Sequence, residues 1–300
     1  MRLVIALGGN ALLKKGQRQE AQIQKQNIIL TAKSIAQIAS HHSLLITHGN
    51  GPQVGLLALQ AESYPDVKPY PLDVLDAETE GMLGYQIAQQ LKNVMPDREV
   101  VALITQVVVD KDDEAFQQPT KPIGPIYKLS DKNSLVERGW QLVAVGDGIR
   151  RVVPSPAPKR ILELSAIQLL LDTAMIVVCA GGGGIPVVES EDHQIEGVAA
   201  VIDKDLTSAM LATELEADRL IILTDVDAVY QNWGEPNAAP LKQATASELR
   251  QYRFEVGNMG PKIDAACRFV EHSGGIAQIG ALEDLAEILA VRKGTQIMAG

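Results

Sequence analysis

The chain has 300 residues, 46% hydrophobic and 21% charged, with 27 Lys and Arg against 37 Asp and Glu for a formal net charge of −10. That length allows two domains of about 150 residues and a core that needs neither disulfides nor a structural metal. The acidic balance and the lack of a basic stripe exclude nucleic-acid binding, and no stretch approaches the ~20 apolar residues of a membrane span.

From the N-terminus, residues 3–7 form a short apolar run that turns into Gly8-Gly9-Asn10, too short for a signal peptide, so a cytoplasmic protein is expected. Ile28, Ala32, Ile35 and Ala39 then recur at helical spacing. A second apolar run at 44–47 leads into His48-Gly49-Asn50-Gly51-Pro52. Residues 110–159 break the rhythm with six of the 15 prolines, in PTKPIGP and PSPAPK. Proline removes backbone donors, so this segment is expected outside the central sheet, as a lid, a small subdomain or a long surface loop.

The rhythm resumes with the run 175–180 before the glycines 181–184. A helical stretch with Leu206, Ala209, Met210 and Thr213 on one face follows Lys204. The run 220–224 precedes DVDAVY, and Lys262 opens a helix with Ile263, Ala266, Cys267 and Val270 on its buried side. Continuous apolar strands alternating with helices predict an α/β sandwich around a mainly parallel sheet. Cys179 and Cys267 lie in apolar settings without a CxxC or a nearby His, and read as core residues.

In such a sheet ligands bind beyond the carboxyl ends of the strands, where all these glycine turns fall. Glycine lets backbone N–H groups approach an anion, and a following helix N-terminus favours it. The chain has no Gly-Lys dipeptide and no GxGxxG, so it is neither a Walker ATPase nor an evident dinucleotide enzyme. No HExxH or GxSxG is present. His48 reads as a packing or hydrogen-bonding residue.

Two lysines at helix starts are the sharper clue. A cation there opposes the helix dipole by about 0.3–1 kcal/mol, so Lys204 and Lys262 call for an anion. A neighbouring carboxylate could supply it: Asp203, Asp205 and Asp264 are all close in sequence. So could a transferring phosphoryl group, whose transition state is stabilised almost wholly by positioning and charge. Asp205 is the candidate carboxylate to aim both lysines, or else the helix N-cap; the two roles are compatible.

The segments ALGGNALL (6–13), THGNGPQVG (47–55), AGGGGIPV (180–187), VIDKDL (201–206), LTDVDAVY (223–230) and MGPK (259–262), with YPLDVL, TKPIGP and RRVVPSP, resemble the serial motifs of the carbamate kinases, in the amino acid kinase superfold. The likeness runs nearly end to end. It implies an open three-layer α/β/α sandwich with about eight central strands and a small protruding subdomain near 110–159. It implies residues 1–200 for carbamate or carbamoyl phosphate, residues 201–300 for ATP or ADP with Mg²⁺ as MgATP, and a homodimer. By motif match Lys204 and Lys262 are phosphate-contacting lysines, Asp205 their organiser, and Lys121 the subdomain lysine that reaches carbamoyl phosphate. Gly8, Gly9, Asn10, Gly49, Asn50 and Gly51 would surround the transferred group. Gly181, Gly182, Asp225, Tyr230, Met259, Gly260 and Pro261 would hold the nucleotide. A sibling kinase acting on another carboxylate, or a nucleotide sensor on the same fold, are the competing expectations. The sensor has no use for Lys121, Lys204, Asp205 and Lys262 together.

Overall fold

The computed structural model describes residues 1–14, 16–64, 66–252, 254 and 259–300. The four runs expected as strands are neighbours in the middle of one eight-stranded sheet. Its spatial order is Gln243–Thr245, Thr295–Met298, Ile276–Ala281, Arg219–Thr224, Arg2–Leu7, Ser43–His48, Ile176–Val178, Val100–Ala102. Six adjacent pairs are parallel, and only Ile276–Ala281 with Thr295–Met298 runs antiparallel.

Alternation of side chains along each strand builds two cores from one sheet. From Arg2–Leu7, Val4 and Ala6 point to the layer containing helices Leu164–Asp172, Lys204–Glu214 and Gly260–Ser273. Leu3, Ile5 and Leu7 point to the layer of Ala21–Ala39, Leu72–Val94 and Leu285–Leu289. Ile5 is wholly buried, so Ile5→Ala would cost about 2–5 kcal/mol through lost burial and the cavity left behind. The result is the expected α/β/α sandwich. Cys179 and Cys267 are buried, unbridged core residues.

Leu206, Ala209, Met210 and Thr213 share a face as expected, and that face is only partly covered. In Lys204–Glu214 the buried residues are Asp205, Thr207, Ser208, Ala209, Leu211 and Ala212. Leu206, Met210 and Thr213 are only half-buried and line a surface cleft with Arg268 and His272. Hydrogen bonding decides this. Thr207 Oγ1 donates to Gly183 O at 2.8 Å and Ser208 Oγ meets Thr47 Oγ1 at 2.7 Å, so polar residues face the sheet.

The proline-rich region lies outside the central sheet. Its ends enter a separate four-stranded sheet, where Gln106–Val109 pairs antiparallel with Pro158–Ile161. Between them Lys121–Lys128, Gly148–Val153 and Gln141–Val145 form a three-stranded antiparallel sheet. Pro122 and Pro125 sit on its edge strand, the position a residue without N–H tolerates. This small sheet rests on helix Gly51–Glu62 through Ile123, Val153, Val54 and Ala58. Contact is backbone to backbone: a Cβ on Gly55 would lie 2.1 Å from Gly124 Cα, and Gly124 itself has φ +67°. Among the described residues no helix is long and apolar enough to cross a membrane.

Candidate active site

The turns after the central strands stand in a row. Gly8 N donates to Leu223 O at 3.0 Å, and Gly49 N donates to Leu7 O at 3.2 Å. A Cβ on Gly8 would come within 2.5 Å of Leu223 O, so this crossing needs glycine. At Gly9 and Gly51 a Cβ would meet nothing within 4 Å, and neither has a positive φ. Protein packing does not require glycine at those two positions; they leave room. Asn10 lies in the short helix Gly9–Ala11, but its side chain is outside the described set.

Over this row stand the two helix starts. Thr207 and Ser208 tie the beginning of Lys204–Glu214 to Gly183 and Thr47. Lys204 is its first residue, while Gly260, Pro261 and Lys262 form the first turn of Gly260–Ser273, with Met259 at its N-cap. Asp205 joins the two. Its Oδ1 accepts from Lys204 Nζ, and its Oδ2 accepts from Lys262 Nζ at 3.0 Å. All three side chains are at most 15% exposed.

Burial would push the Asp205 carboxyl up, but the two ammoniums override it and hold it well below the carboxylate range. Burial dominates at Lys204 and lowers it despite Asp205. Lys262 is more open; burial opposes its charge, yet the attraction and hydrogen bond of Asp205 leave it raised. Two cations and one anion make a site with residual positive charge, shielded from water, where an added anion is held strongly.

The helix cap is not Asp205. Asp203 is the N-cap, its Oδ1 accepting from Asp205 N and Leu206 N, which leaves both Asp205 oxygens for the lysines. Lys121, 82 residues earlier, reaches the same place and donates to Asp203 Oδ2 at 2.6 Å. The structure thus brings Lys121, Lys204, Asp205 and Lys262 together, with Asp203 as a fifth member.

Gly181 and Gly182 fall elsewhere than expected. A Cβ on Gly181 would strike His48 Cε1 at 2.3 Å, and one on Gly182 would strike the Asn50 side chain. They belong beside the loop 49–51, three strands from Asp225, roughly 14 Å at the usual strand spacing. Their turn is closed by its own bonds: Gly181 N donates to Glu80 Oε1, and Gly184 N to Gly181 O. These buried glycines permit close packing, and no open phosphate cradle is formed by them. Asp225 accepts from Thr224 Oγ1, and Tyr230 donates to Asp227 and packs edge-on against Trp233 at 5.1 Å.

Sequence reasoning missed the floor of the site. Asn50 Nδ2 donates to Asp76 Oδ1 and Thr79 Oγ1, both at 2.9 Å, and Glu80 accepts from Thr105 N and Gly181 N. Helix Leu72–Val94 therefore holds two turns in register through buried acids. The signal was present: Asp76, Thr79 and Glu80 interrupt the apolar stripe Leu72, Leu75, Leu83, Ile87, and polar residues at core positions need a reason. His48 is wholly buried, with Nδ1 on Gly49 O at 3.1 Å, and burial pushes its imidazole down to about 4. Near neutral pH it is the uncharged imidazole, packed between the loops.

Residues 1–279 match the model of the amino acid kinase family. The chain is 50% identical to a carbamate kinase of Haemophilus influenzae over 299 residues, 99% of this chain and 96% of that one. It is 49% identical to one of Rhizobium meliloti over 301 residues, 99% and 93% of the two chains. The solved structure of the Giardia lamblia carbamate kinase bound to AMP-PNP superposes with a TM-score of 0.92 at 36% identity, covering 100% of this chain and 98% of that one. The sequence is matched along almost its whole length, and the chain belongs to the amino acid kinase family, within its carbamate kinase group.

Proposed function

We propose that this chain catalyses the reversible reaction of MgATP with carbamate to give ADP and carbamoyl phosphate. The observation that carries the reading is the pair of buried ammoniums on one carboxylate, Lys204 and Lys262 on Asp205, at the carboxyl ends of the central strands. In the direction of ATP synthesis, a β-phosphate oxygen of ADP attacks the phosphorus of carbamoyl phosphate. The bond from phosphorus to the carbamoyl oxygen breaks, and carbamate leaves with its negative charge. Lys204 and Lys262 stabilise the charge spread over the transferred group. Asp205 keeps them apart and aimed. Lys121 meets the carbamoyl phosphate from the three-stranded sheet.

Gly8, Gly9, Asn10, Gly49, Asn50 and Gly51 surround the transferred group, and the room at Gly9 and Gly51 supports this. Asp225, Tyr230, Met259, Gly260 and Pro261 hold the nucleotide, next to Lys262, whose charge Asp225 favours. Gly181 and Gly182 support the acceptor loops instead. Mg²⁺ is part of the nucleotide substrate. The working form is a cytoplasmic homodimer. Coupled measurement of ATP formed from ADP and carbamoyl phosphate tests the reading. Acetyl phosphate and acylated amino acids serve as alternative partners in separate assays. ATP formation with carbamoyl phosphate is expected; turnover confined to another acyl phosphate would replace this reading by a sibling kinase.

A further inference from the structure

One carboxylate at the start of Lys204–Glu214 carries two loads. Asp203 Oδ1 accepts from Asp205 N at 2.9 Å and from Leu206 N at 3.4 Å, closing the first turn of the helix. Its Oδ2 accepts from Lys121 Nζ at 2.6 Å. Lys121 is the first residue of the three-stranded sheet's edge strand, and the helix start bears Lys204 and Asp205. Asp203 thus joins the two parts of the site through its own side chain.

We propose that Asp203 is a positioning residue for the reaction, docking the three-stranded sheet on the helix start and holding the Lys121 ammonium at the site before an anion arrives. This rests on the reading of Lys121 as the group that meets carbamoyl phosphate.

Charge explains why such a residue is needed. Three ammoniums converge, and Asp205 is already shared by two of them. Lys121 would be repelled by Lys204 and Lys262 in the empty site unless it had a counter-ion of its own. Asp203 supplies that, and it favours the charged forms of Lys204 and Lys262 as well. An ammonium has three N–H donors. One bond to Asp203 leaves two for a phosphoryl or carbamoyl oxygen, so Lys121 need not let go in order to act. The Lys121 side chain is 33% exposed against 13% for Asp203, so the anchor is the fixed partner and the lysine keeps an open side.

Asp203→Asn separates the two loads, because asparagine caps a helix as well as aspartate while losing the charge that holds Lys121. Its melting temperature is expected to stay at the wild-type value, whereas Asp203→Ala, which also loses the cap, should melt roughly 2–4 °C lower. In Asp203→Asn, kcat/KM for carbamoyl phosphate should fall about tenfold or more, with KM for ADP unchanged. The double variant Asp203→Asn/Lys121→Ala should lose much less than the product of the two single losses, since both remove one linkage and only the weaker support of Lys204 and Lys262 by Asp203 is left to add. Amide hydrogen exchange across 121–153, measured without substrate, should be faster in Asp203→Asn than in wild type. Losses that multiply in the double variant, or unchanged exchange in Asp203→Asn, would overturn the proposal. The exchange measurement involves no turnover, so it decides the docking role even if carbamoyl phosphate proves not to be the substrate.

Discussion

Lys204 and Lys262 share Asp205 but sit in unequal surroundings, one lowered by burial and the other raised by its ion pair. On the proposed function both ammoniums act on charge that develops during transfer. Lys→Ala at either position is therefore expected to lower kcat by about 10²-fold or more; a change seen only in KM would reduce that lysine to ground-state binding. Asp205→Asn leaves the helix cap intact, because Asp203 supplies it. It nevertheless strips two buried cations of their counter-charge, a loss of about 3–5 kcal/mol for a buried pair. ADP should then raise the melting temperature of Asp205→Asn more than that of wild type, by restoring negative charge. An equal shift in both proteins would show that Asp205 does not balance the lysines.

The floor of the site makes a pH prediction. Burial pushes the Glu80 carboxyl up to about 8 against the pull of the Thr105 and Gly181 amides, and pushes His48 down to about 4. From pH 4 to 6.5 the unfolded chain holds a proton that His48 does not, so this contribution to stability rises with pH. Glu80 keeps a proton that the unfolded chain releases near 4.5, so its contribution falls with pH until about 8. The two oppose each other up to 6.5. Above that Glu80 acts without His48. Denaturant titrations should show stability falling by on the order of 2 kcal/mol from pH 6.5 to 8, and Glu80→Gln should flatten that slope. A wild-type profile already flat in this window would mean that Glu80 is ionised in the folded protein.

At the scale of elements, the three-stranded sheet meets the rest of the site through an apolar patch on helix Gly51–Glu62, a close backbone contact at Gly55 and Gly124, and the Lys121–Asp203 ion pair. Gly55→Ala would place a methyl 2.1 Å from Gly124 Cα, and backbone cannot give way there cheaply. The sheet should shift on helix Gly51–Glu62, and ATP synthesis from carbamoyl phosphate should fall while nucleotide binding persists. Removing the sheet should do the same more completely. Val109 and Pro158 are paired across the four-stranded sheet, so a short Gly/Ser linker can join the two ends. Carbamoyl phosphate is small and labile, and enclosure both shields it and strengthens each ammonium contact. Near wild-type ATP synthesis by a folded deletion variant would leave the segment a surface feature only.

Across the whole molecule, the two expected halves share one sheet. Arg2–Leu7 pairs with Ser43–His48 on one side and with Arg219–Thr224 on the other. The loops after these strands therefore form one row, built on a common core. Light scattering at working concentration should give twice the 32.3 kDa chain mass if the homodimer is the working form; a monomer that retains full activity would exclude it.

The sequence by itself determined the layered fold, because four continuous apolar runs can be buried only in a sheet covered on both faces. It also determined the glycine turns and the two helix-start lysines, because those signals are local: glycine for close approach, cations where the dipole opposes them. Only the tertiary structure decided that Asp203 caps the helix and frees Asp205, since both acids suit a cap in one dimension. It alone joined Lys121 to Asp203 across 82 residues, and moved Gly181 and Gly182 away from Asp225 by setting the strand order. It also buried Asp76 and Glu80, whose partners lie on separate turns. Long-range pairing depends on which strands become neighbours, and sheet order is a property of the packed chain, not of any segment.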